Sequence, residues 1–213
     1  KFLSNIALVL FVIIQFVLYI SPSVLMLYGV FVLFKGCGDS NDDNQEARIE
    51  RLQKEITDIT TDINIDYAEY NYAECKDKCK ELIRLCNEHA DIEHIDLPVA
   101  PAHLLLGKMY YDEADYDAAK VHLLKSTKAF DQYKQQLIVY GVKWYYETIT
   151  MQYLMLCDIT KQQESWEECN EYMENIMSAL KKADCSEAQQ LLPMFIVKYG
   201  HMASHFLDYA KAE

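Results

Sequence analysis

The chain has 213 residues, 51% of them hydrophobic, and 33 acidic against 20 basic side chains give it a formal charge of −13. A chain this acidic is repelled by nucleic acid and by anionic headgroups, which excludes phosphate-backbone binding as its main task. Every acid lies at or beyond Asp39, and of the bases only Lys1 and Lys35 precede it, so residues 2–34 carry no charge and the region from Asp39 onward carries about −15.

Phe2 to Ile20 is an apolar run of 19 residues interrupted only by Ser4, Asn5 and Gln15. At about 1.5 Å per residue it spans a ~30 Å hydrocarbon core, and a helix satisfies its own backbone in lipid. Ser21-Pro22-Ser23 interrupts the run, and Ser23 to Phe34 is a second apolar stretch of 12 residues. The second stretch is too short to cross alone. The pattern predicts an N-terminal transmembrane helix kinked near Pro22. A second stretch lying in the interface, or a shallow hairpin, are the competing geometries. Lys1 and Lys35 flank the run almost evenly, so the loop-charge rule leaves the topology open. Cys37, beside the membrane, reads as a plain thiol before an acylation site. This divides the chain into an anchor at 1–36, a linker at 37–43 and an acidic helical domain at 44–213.

Beyond the linker the pattern is helix after helix. Ile49, Leu52, Ile56, Ile59 and Ile63 fall on one face of a helix over Asn44 to Ile63. Asn64-Ile65-Asp66 reads as a turn, followed by a helix from Tyr67 to His89. Asp91 to Pro101 reads as a loop, with Pro101 suited to open the next helix. Helices are predicted over Ala102 to Ala114, Tyr116 to Phe130, Gln135 to Asp158, Ser165 to Ala183 and Ser186 to Ala212. No alternating run asks for a sheet, so the expected class is all-α.

A short pattern recurs along these helices: Tyr72-Ala73-Glu74-Cys75, Tyr116-Asp117-Ala118-Ala119 and Trp166-Glu167-Glu168-Cys169. Each opens an acidic amphipathic helix, and Cys79, Leu123 and Met173 follow four residues later. The middle copy is preceded by Leu106-Gly107 with Tyr110 three further on. It resembles a tetratricopeptide repeat, in which two antiparallel helices cross closely at small residues. That resemblance implies close-crossing positions at Gly107 and Ala119, flanked by Leu106, Tyr110 and Leu123, with Cys75 and Cys169 equivalent to Ala119. His103 stands where Trp is usual, and Asp131 where Pro is common. The steps between copies, 44 residues from Cys75 to Ala119 and 50 from Ala119 to Cys169, exceed the usual period of about 34. A small helical repeat domain tied to a membrane is similar in architecture to the mitochondrial fission-adaptor family. That family carries its anchor at the other end, so the likeness implies no fission activity. The resemblance also implies a peptide groove lined by the first helix of each pair. Here that face offers Leu104, Lys108 and Tyr111, and a single base argues against an acidic chaperone tail as ligand.

No arrangement of side chains asks for catalysis. Cys75, Cys79, Cys86 and His89 share one helical arc, but the arc from Cys75 to His89 is about 21 Å long, so they read as core rather than as metal ligands. Cys157 and Cys169, in the same register as Gly107 and Ala119, are a candidate disulfide across the third pair. His201 and His205 lack the glutamate of a zinc-protease helix. The acidic clusters Asp112, Glu113, Asp115, Asp117 and Glu164, Glu167, Glu168, Glu171, Glu174 read as solvated faces. Trp144-Tyr145-Tyr146 reads as helix packing. The expectation is no catalytic residue, no cofactor and no metal.

These readings predict a non-catalytic accessory subunit or adaptor, integral to a membrane, whose partners are other subunits of a membrane complex and the lipid bilayer. A mitochondrial inner-membrane respiratory complex is the preferred setting: a chain that begins without Met suits a cleaved targeting sequence, and the fission-adaptor likeness points the same way. The alternative is a membrane-tethered receptor or chaperone for client proteins, including a bacterial single-pass repeat protein assisting secretion.

Overall fold

A computed structural model describes residues 43–92, 95, 98–183 and 185–212. The expected anchor, the kink at Pro22 and the linker up to residue 42 lie outside the described residues. Among the described residues no helix is long and apolar enough to cross a membrane, and there is no strand. The fold is all-α. The chain divides into two compact units, 1–101 and 102–213.

The described part of the first unit is a helical hairpin of α1 (Asp43–Ala68) and α2 (Tyr72–Glu88). Leu52, Ile56, Thr60 and Ile63 form the buried line of α1, and Cys75, Cys79, Leu82 and Cys86 that of α2. Steps of three and four place each line on one face, as hairpin packing requires. The expected turn at Asn64-Ile65-Asp66 is absent, and α1 runs on to Ala68. Asp66 reads as a turn residue because it is polar and short. In the fold it is nearly buried and accepts from Lys78 of α2 at 2.8 Å, so it ties the hairpin together. Asp62 reaches the same ammonium at 3.3 Å.

α3 (Val99–Asp112) begins two residues before Pro101, which therefore sits in the first turn, where its missing N–H leaves no bond unmade. α4 (Tyr116–Gln132) returns against it. The single helix expected over Gln135 to Asp158 is broken. A short α5 (Lys134–Leu137) and a 3-10 turn (Ile138–Tyr140) end at Gly141, and α6 (Val142–Gln162) starts afresh. Gly141 has φ 145°, a region that L side chains rarely adopt. α7 (Trp166–Lys182) pairs with α6, and α8 (Ser186–Ala212) packs on both. The core of this unit holds Leu106, Met109, Leu123, Phe130, Tyr145, Leu156, Ile159, Met173, Ile176 and Phe195.

Three helix pairs, α1/α2, α3/α4 and α6/α7, close through the same turn. Tyr70, Ala114 and Glu164 occupy the left-handed region at φ 62°, 61° and 55°. The following residue, Asn71, Asp115 or Ser165, donates its N–H back to the carbonyl of Asp66, Tyr110 or Thr160, at 2.8, 2.9 and 2.9 Å. Tyr70, Ala114 and Glu164 donate to Tyr67, Tyr111 and Lys161. This is the Schellman arrangement, which satisfies the last carbonyls of the first helix in each pair. The packed, identically closed pairs are compatible with a tetratricopeptide-like repeat.

Candidate functional site

The close-crossing residues sit at one level of each hairpin. A methyl group on Gly107 would lie 2.8 Å from Leu123 Cγ, so α3 and α4 meet there with no room to spare. Leu106, Ala119 and Leu123 are fully buried beside it, and Tyr110 stacks on His122. Cys75 is fully buried and donates its thiol to the carbonyl of Ile63, twelve residues earlier, at 3.6 Å. Cys157 donates to the carbonyl of Cys169, also twelve residues away, at 3.7 Å. The equivalent positions are thus Ile63, Gly107 and Cys157 on the first helices, and Cys75, Ala119 and Cys169 on the second. Ile63 carries no repeat signal of its own in the sequence; only its distance from Cys75 marks it.

Cys157 and Cys169 face each other as thiols and form no disulfide in this structure. The hydrogen bond between their sulfurs, and then burial, push the Cys157 thiol well above its ordinary range. Cys79 is pushed the same way by Cys75 and by burial. Thiols held protonated in a core are poor nucleophiles and poor ligands. Among the described residues no three His, Cys, Asp or Glu side chains are placed to hold a metal ion. His89 bonds Arg48 at 3.1 Å, and His201 and His205 are exposed. Asp115 caps α4 by accepting from Ala118 N–H at 3.2 Å, and Asp117 accepts from Gln163 at 3.0 Å. Lys120 pairs with Glu168. Parts of both acidic clusters therefore fasten the second unit. Trp144-Tyr145-Tyr146 packs mainly inward, with Trp144 and Tyr145 against Phe130.

The candidate site is an open groove of about 400 Å³ across the first helices of the second unit. α3 contributes Tyr111. α6 contributes Glu147, Thr150, Met151, Leu154, Met155 and Asp158, and α8 contributes Leu191 and Met194. Residues 147, 150, 151, 154, 155 and 158 are spaced as one face of a helix. α6 can spare this face because its core contacts run along another: Tyr145, Ile149, Leu156 and Ile159 are buried. The walls are apolar and rich in methionine, whose unbranched thioether adapts to irregular partners. Asp158 accepts a hydrogen bond from the Tyr111 hydroxyl, joining α6 to α3 at one end of the groove. Burial, and then that bond, raise the Tyr111 pKa and keep the phenol protonated. Of the three residues that the repeat resemblance places on this face, only Tyr111 lines the groove; Leu104 is buried. The methionines are the residues that sequence reasoning missed. Their signal is the second apolar stripe on α6.

The chain matches no protein-family model, no curated protein and no solved structure.

Proposed function

We propose that this chain is a non-catalytic accessory subunit or adaptor, anchored in a membrane through residues 2–34 and acting through protein–protein contacts. The observation that carries the reading is the methionine-lined groove on the first helices of a packed helical unit. Its exposed Met194 and half-buried Met151, Leu154 and Met155 are of little use to an isolated monomer and suited to a partner. The uncharged N-terminal stretch supports the membrane setting, as its composition suits lipid. A mitochondrial inner-membrane respiratory complex remains the preferred assembly. The reading assigns the chain no catalysis, cofactor or metal.

Purification from native membranes in mild detergent tests it. A subunit is expected to hold a fixed stoichiometry with the same partners through a density gradient. A chain that migrates alone as a monomer refutes the subunit reading. Partners that vary from one preparation to the next support the alternative, a membrane-tethered receptor or chaperone, for which an adaptable methionine surface is also apt.

A further inference from the structure

The groove has a measurable length and a charge pattern. Glu147 and Asp158 lie on one face of α6, eleven residues apart, hence about 16 Å along its axis. Between them lie Met151, Leu154 and Met155, and Leu191 and Met194 flank them on α8. No Lys or Arg is among the lining residues. Glu147 pairs with Lys143 at 3.7 Å in a largely exposed pair, which is worth little and easily exchanged.

We infer that this groove receives one amphipathic helix of a partner protein, about three turns long, with apolar side chains over the methionines and a basic side chain near each end. The inference rests on the adaptor reading above and names the partner's chemistry. A partner helix aligned with α6 advances by the same rise per residue. Bases eleven positions apart on it therefore meet Glu147 and Asp158 together, with apolar residues at the intervening i+4 and i+7 positions. Two other occupants fit less well. The chain's own residues 2–34 contain no base and so offer neither acid a cationic partner. A second copy brings a further formal charge of −13 to an already acidic surface.

The test uses the whole chain in nanodiscs, labelled with 13C at its methionine methyls, and three synthetic 14-residue peptides. The first has leucines on one helical face and lysines at positions 1 and 12. The second has glutamates in place of the lysines, and the third is the first with a central proline. The first peptide is expected to shift the Met151, Met155 and Met194 methyl signals. The signals of Met109 and Met173, fully buried in the core, stay in place. The glutamate and proline peptides should bind about tenfold or more weakly. Glu147→Lys, an exposed change, should weaken the first peptide similarly while leaving the melting temperature unchanged. Shifts spread over all methionines, equal binding of the three peptides, or peptide-free shifts that track dimerisation would each overturn the inference. The two readings fail separately. Partners that co-purify unchanged with the Glu147→Lys chain leave the adaptor role standing and remove the groove from it. A peptide that binds a chain found alone in native membranes does the reverse.

Discussion

Gly107 shows how little freedom a single residue has in this fold. Leu123 Cγ stands 2.8 Å from where a methyl on Gly107 would lie, and Leu123 is itself fully buried. Gly107→Ala is therefore expected to destabilise the chain by about 1–3 kcal/mol despite its better helix propensity. Leu123→Ala alone costs about 2–5 kcal/mol through its cavity, and the double variant should cost clearly less than the sum. Urea denaturation of the four proteins measures the coupling, and strict additivity would show that the two residues do not meet as described. Gly107 stands out in the sequence because a small residue at a fixed place in a helical pattern has few other uses. Leu123 was expected beside the crossing, and the structure puts it directly over Gly107. The groove methionines were not legible. Met on an apolar helix signals burial, and only the placement of α3 and α8 around α6 shows that Met151 and Met155 lie on an open side.

At the scale of elements, the turns are the common part. Tyr70, Ala114 and Glu164 hold left-handed backbone that glycine adopts without a Cβ penalty. Ala114→Gly is expected to stabilise the α3/α4 hairpin by about 0.5–1 kcal/mol, a rise in Tm of a few degrees. Differential scanning calorimetry reads it, and a fall in Tm would mean that the methyl of Ala114 makes contacts worth more than its strain. The starts of α4, α7 and α8 were readable to within a residue from their aromatic or polar first positions. The end of α1 was not, because Asp66 looks like a turn former until Lys78 is seen beside it. The break at Gly141 was missed because a lone glycine is tolerated within many helices, and only its φ of 145° excludes it here.

For the whole molecule, acidity and one histidine pair oppose each other as the pH falls. His103 Nδ1 and His122 Nδ1 are 2.9 Å apart, so one ring must donate and the other accept. Burial, and then the neighbouring charges of His122 and Lys125, push the His103 pKa down to about 4. The unfolded chain takes up that proton near the ordinary value of 6.5, earlier than the folded one. The contribution to stability is thus complete above pH 6.5 and is lost as pH falls towards 4. Below about pH 5, protonation of the many carboxylates begins to relieve self-repulsion and blurs the effect. Between pH 7.5 and 5.5 the chain should lose about 1 kcal/mol, or some 2–4 °C in Tm. His103→Gln should flatten that slope, and an unchanged slope in the variant would assign the loss to other groups.

The three shared turns lie within hairpins whose matching positions are always twelve residues apart, whereas the steps between hairpins differ, at 44 and 50 residues. The variation lies mainly in the first helices, since α3 runs eight residues from Val99 to Gly107 and α6 fifteen from Val142 to Cys157, while the connecting segments 89–98 and 133–141 are nearly equal in length. Kinship for such a chain is written in intervals inside the hairpin. Distant relatives are to be recognised by a close-crossing residue, a left-handed residue seven places on and a second close-crossing residue five beyond that, with no constant period between copies.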